Sequence, residues 1–186
     1  MKLSVLIISF FVGWTFPSLA APVISAPISK CDDRLTGIVE YLGEMELQIP
    51  QIPPEQNSYL EKETTAAFQQ ADETRFRRVV ASPFFGAWQA RKALVKARST
   101  MSSLELAKTS TEGVVLNDAV HRLTAINTLP VDLAELGDAI VDYSVASENQ
   151  LSHDKVLSLQ ANAKFMPHVA MGYIQCLTQV LNDSIQ

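Results

Sequence analysis

The residues with the clearest chemical potential lie together between Thr74 and Arg98, in the run TRFRRVVASPFFGAWQARKALVKAR. Arg75, Arg77, Arg78, Arg91, Lys92, Lys96 and Arg98 supply its cations, and no Asp or Glu interrupts them. Phe76, Phe84, Phe85 and Trp88 are set among them. Guanidinium groups grip carboxylates and phosphates through a planar fork, and aromatic rings add apolar contact and stacking. The chemistry is recognition of an anionic partner: an acidic protein surface, an anionic lipid headgroup or an acidic glycan. A surface centred on Arg77, Arg78, Phe84, Phe85, Trp88, Arg91 and Lys92 would carry it. The competing reading buries the aromatics in a central helix. The cations then snorkel outward or meet carboxylates of the same molecule, such as Glu135, Asp138 and Asp142.

Other chemistry is thinly represented. Met166, His168 and Met171 offer soft ligands of the kind copper takes. Pro167 divides them, however, and the tight spacing matches no copper motif. His121 and His153 stand alone. Glu135, Asp138 and Asp142 form a helical stripe, whereas a calcium loop needs oxygen ligands on a glycine-bearing turn. No carboxylate pair is set up for acid–base work, no serine sits in a nucleophile elbow, and no phosphate-binding glycine loop is present. The expectation is a non-enzymatic binding protein without a metal or cofactor. An apolar-ligand carrier, with its ligand held between helices near Phe84, Trp88 and Tyr173, is a second reading, since bundles build such sites. A secreted helical signalling protein is a third.

Cys31 and Cys176 are the chain's two cysteines. Their pairing would close a loop of 145 residues, which the chain-entropy account values at roughly 4–5 kcal/mol. A disulfide of that kind belongs in an oxidising compartment. The first twenty residues agree: Lys2 precedes an uncharged, mostly apolar run from Leu3 to Trp14, and Ser18-Leu19-Ala20 ends it with small residues. The run is about a dozen residues, short of the roughly 20 a spanning helix needs. Residues 1–20 therefore read as a signal peptide, giving a secreted or periplasmic chain with no transmembrane segment after cleavage. The sequon Asn182-Asp183-Ser184 is too common by chance to choose between those two.

Of the 186 residues, 166 follow the signal segment, enough for one domain with a core. They carry 14 cations against 20 carboxylates, a net charge of −6. Half of those cations fall between Arg75 and Arg98, so the rest of the chain is strongly acidic. Such a balance excludes a general nucleic-acid binder.

The elements that must position these groups are helices. Residues 21–30 read as an extended leader, with 31–186 as one helical bundle domain. Cys31, Leu35, Ile38, Val39, Leu42 and Met45 recur at helical spacing, with Asp32 and Asp33 expected in the first turn. Ile49 to Pro54 is proline-rich and extended, and a second helix starts near Asn57 or Ser58. It either breaks at Asp72–Thr74 or runs on to Val80. After Pro83 a third helix, from about Phe84 to Lys108, sets Ala87, Ala90, Leu94, Ala97, Met101 and Leu104 on one side. A turn at Thr109–Gly113 leads to a fourth helix, closed by Pro130. Leu133, Leu136, Ile140 and Tyr143 line a fifth. A final helical region, capped by Ser152, is interrupted at Pro167 and presents Val169, Tyr173, Cys176, Leu177 and Val180. With no strand-like alternation, the fold class is all-α: five to six helices closed by an N- to C-terminal disulfide.

Overall fold

The computed structural model describes residues 26–109, 115–146 and 152–185. The signal segment, residues 21–25 of the leader and most of the Thr109–Gly113 turn lie outside the described residues. Among those described, all regular structure is helical: α1 (Ala26–Gln48), α2 (Pro54–Gln69), α3 (Glu73–Val80), α4 (Phe85–Thr109), α5 (Val115–Ile126), α6 (Leu129–Ala146) and α7 (His153–Ile185). Cys31 and Cys176 form the expected disulfide, 2.00 Å between sulfurs, tying α1 to α7.

The apolar spacings become faces as expected. Cys31, Leu35, Ile38, Leu42 and Met45 of α1 are buried, and so is the whole alanine-rich side of α4. Leu133, Leu136 and Ile140 of α6 meet Tyr173 and Leu177 of α7 in the same core. Small side chains on α4 let its neighbours approach closely. A separate, smaller cluster of Leu60, Val79, Phe85 and Trp88 joins α2 and α3 to the start of α4. The molecule is thus a bundle of α1, α4, α5, α6 and α7, with the α2–α3 hairpin attached at one corner.

Several boundaries differ from expectation, each for a local reason. Helix α1 begins at Ala26, so residues 26–30 are helical rather than extended. Pro27 is tolerated because a first-turn residue has no intrahelical use for its missing N–H. Asp32 and Asp33 consequently lie beyond the first turn. Helix α2 starts at Pro54, with proline at its first position, ahead of Asn57. The chain does break after it: Ala71 takes φ 49°, and the Asp72 carboxylate caps α3 by accepting from Arg75 N at 2.9 Å. Pro130 falls in the first turn of α6 instead of closing α5. Helix α7 runs unbroken through Pro167. Packing along both halves of α7 outweighs the one hydrogen bond that the proline removes.

Candidate interaction surface

The helices that bear the basic, aromatic run are α3 and α4, joined by the short turn at Ser82–Phe84. Ser82 organises that turn, since its carbonyl accepts from Phe85 N at 3.0 Å and its hydroxyl from Phe84 N at 3.4 Å. The turn delivers Phe84 half-buried, while Phe85 and Trp88 enter the small cluster at 8% and 4% exposure. Phe76 packs edge-on against Phe85, 6.5 Å between centroids. Phe85 and Trp88 are therefore inside, under the hairpin, while Phe76 and Phe84 are partly exposed.

Most of the cations are engaged within the molecule. Arg91 donates from Nε to the Pro50 carbonyl at 2.7 Å and from an Nη to that of Ile49 at 2.6 Å, so it grips the connector that leaves α1. Lys92 pairs with Glu61 of α2 at 3.0 Å and stands 4.7 Å above the Trp88 ring. Lys96 reaches Glu135 at 2.7 Å and Asp132 at 3.1 Å. Hydrogen bonding to Glu135 first, and to Asp132 second, holds its ammonium above the ordinary lysine range. Arg98 pairs with Glu46, and Arg75 with Glu63 at 2.8 Å. Among the described residues Arg77 meets only Glu73, one turn away on its own exposed face, at 2.6 Å. Arg78 is exposed and, among the described residues, reaches only the Thr74 carbonyl, at 3.5 Å. Arg77, Arg78 and Lys92 are thus the members of the proposed set whose charge faces solvent.

The acidic stripe is divided. Glu135 answers Lys96, whereas Asp138 and Asp142 are exposed along a groove between α4 and α6 that Trp88, Gln89, Lys92 and Ala139 also line. Next to it stands Asp132, 1% exposed. One of its oxygens accepts from Thr100 at 2.7 Å and Thr128 at 3.1 Å. The other oxygen faces the Lys96 ammonium at 3.1 Å and has no further polar partner among the described residues.

Spacing along the chain did not reveal a second polar group, Arg122, which is 8% exposed. Its guanidinium pairs with Asp118 at 2.9 Å and with Asp32 of α1 at 2.9 Å. Tyr173 donates its hydroxyl to the same Asp32 carboxylate at 3.1 Å. Burial works against the Arg122 charge, but hydrogen bonding with Asp118 and Tyr173 and the fields of both carboxylates more than offset it and hold the pKa up. Burial likewise pushes the Tyr173 phenol up, as it does that of Tyr41. The Asp118–Arg122 pair sits one turn apart on α5, a legible signal; nothing in the spacing pointed to Asp32, ninety residues away. The network adjoins the disulfide and fastens α1 to α5 and α7, with every charge answered. Its geometry is that of a structural clasp.

Tyr173 belongs to the main core, while Phe84 and Trp88 belong to the small cluster, so the three are not brought around one cavity. A cleft of about 600 Å³ does open beside Phe84, walled by Val80, Pro83, Phe85 and Tyr143. Met171 and His168 are exposed on α7 with Met166 partly covered, and no group of three or more His, Cys, Asp or Glu side chains that could hold a metal occurs among the described residues. No helix among those residues is long and apolar enough to cross a membrane. No family model matches the chain, and neither a curated protein nor a solved structure is similar to it.

Proposed function

We propose that the chain is an exported, non-catalytic binding protein that contacts an acidic polypeptide at the corner where α3 turns into α4. The observation that carries this reading is the segregation of charge. An acidic chain gathers its cations on one segment, and Arg78 there faces solvent with no carboxylate partner among the described residues. Arg77, Lys92 and the half-buried Phe84 belong to the same segment, and arginine together with aromatic rings is the composition of energetic centres in protein interfaces. An anionic membrane calls for clusters of roughly four to eight cations, more than this corner leaves free. Export is supported by the signal-like first twenty residues and by a disulfide, which suits an oxidising compartment.

Affinity capture from the chain's native extract tests it, with wild type beside a variant carrying Arg77→Glu and Arg78→Glu. Both positions are exposed, so circular dichroism and the thermal midpoint should stay unchanged. A partner held by wild type should bind the variant at least tenfold more weakly, roughly what reversing two rim charges does to association. Equal capture by both proteins would remove this corner as the working surface.

The cleft beside Phe84 favours a second reading, a carrier of a small apolar ligand. Organic extraction of the purified chain, followed by mass spectrometry, separates the two. A stoichiometric apolar compound supports the carrier, and the polypeptide reading requires none.

A further inference from the structure

We infer that the α2–α3 hairpin is a lid over the aromatic start of α4, and that the structure shows it closed. The inference rests on the binding role proposed for the α3–α4 corner, and gives that corner a means of regulation.

The hairpin is built to move as one piece. Arg75 on α3 reaches back to Glu63 at 2.8 Å and to Gln70 at 3.0 Å, both on or just after α2. Phe68 and Phe76 meet across the two arms with tilted rings, 5.3 Å between centroids, and Asp72 caps the second arm from the tip between them. Against the bundle its seat is slighter. Leu60 and Val79 lie on Phe85 and Trp88, a cluster of four buried side chains separate from the main core. Among the described residues one ion pair, Glu61 with Lys92, spans the outer edge, and both its side chains are about half exposed, at 54% and 52%. Exposed pairs of that kind hold weakly.

Both roots of the hairpin lie at the same corner. The connector 49–53 contains Pro50 and Pro53 and is pinned by Arg91, and the turn at 81–84 contains Pro83. Proline thus stiffens both roots, each next to the first turns of α4.

Closure also leaves a polar group unsatisfied. The Trp88 indole Nε1 is fully buried and has no acceptor among the described residues. Buried donors are normally paired, because water is given up without replacement. Lifting the hairpin returns that N–H to solvent or to a partner's acceptor, and uncovers Trp88 and Phe85 beside Lys92. The closed state therefore shields the residue types that a partner would seat on.

The chain's tryptophans are Trp14 and Trp88, so in a full-length Trp14→Phe background fluorescence reports Trp88 alone. In that protein, amides of 54–80 should exchange with deuterium roughly tenfold or more faster than those of 129–146, as expected for a subglobal opening. Leu60→Ala or Glu61→Lys should raise acrylamide quenching of Trp88 roughly twofold while α6 and α7 keep their protection. Equal exchange of the two segments in the Trp14→Phe protein would overturn the lid, whether or not the variants fold. Opening that leaves partner capture unchanged would keep the lid and count against the binding role of the corner. Capture strengthened by Leu60→Ala would support both.

Discussion

Burial decides which side chains here do structural work and which are left for contact. Arg122 and Tyr173 close around Asp32 because each, alone in the core, would strand a donor or a charge; together they leave none. The pH dependence of stability follows from the phenols. Burial raises the pKa of Tyr173 and Tyr41 above 10.0, the ordinary value that the unfolded chain keeps. Between the unfolded and folded values the native state holds protons that the unfolded state has lost. The stability the neutral phenols contribute is thus complete below about pH 10 and declines as pH climbs beyond it. Phenolate absorbance and helical circular dichroism, followed together, should show these two tyrosines ionising only as helix is lost. Comparison with Tyr41→Phe and Tyr173→Phe isolates their signals. Ionisation at ordinary tyrosine pH with the helices intact would mean that water reaches them freely.

At the scale of elements, helix α7 shows how packing overrides local chemistry. Pro167 cannot donate to Ala163, four residues earlier, yet the helix continues. The Ala163 carbonyl left without that donor is the atom Gly137 of α6 faces: a Cβ built on Gly137 would stand 2.9 Å from it. Glycine at that point lets α6 come against α7 just where the ladder is broken. Gly137→Ala should therefore cost about 1–3 kcal/mol through overpacking against backbone, although alanine is the better helix former. Pro167→Ala should stabilise, by up to about 3 kcal/mol, because it restores the missing donor. Denaturant midpoints of the two variants decide it. A stabilising Gly137→Ala would show that the contact is loose. The burial of Ala87, Ala90, Leu94, Ala97, Met101 and Leu104 was legible in the sequence, since 3.6-residue periodicity needs no knowledge of neighbours. Continuity through Pro167 was not, because the reason lies on another helix. For the same reason the spacing that marked Glu135, Asp138 and Asp142 passed over Asp132, which is buried only because Thr100, Thr128 and Lys96 converge on it. Phe85 and Trp88 were recognisable as special, but whether they faced solvent depended on where α2 and α3 fold back.

For the molecule as a whole, the question is what holds the two ends together. The cysteine pair was readable from count and compartment, and α1 is clasped to α7 at more than the disulfide. Arg34 donates to the Gly172 carbonyl at 2.7 Å, and Tyr173 donates to Asp32, the carboxylate that Arg122 also pairs with. Those contacts should keep the native arrangement when the S–S bond is cut, leaving the bond to act chiefly on the unfolded chain by denying it a loop of 145 residues. Replacing both cysteines, Cys31→Ser with Cys176→Ser, should then lower unfolding free energy by roughly 4–5 kcal/mol with little change in helix content. The denaturant slope should rise at the same time, because an uncrosslinked unfolded chain exposes more surface. A loss of stability with an unchanged slope would place the effect in the folded state, through the cavity left at Cys31. A loss below about 1 kcal/mol would mean that the unfolded chain already keeps its ends close, and that the clasp alone sets the topology.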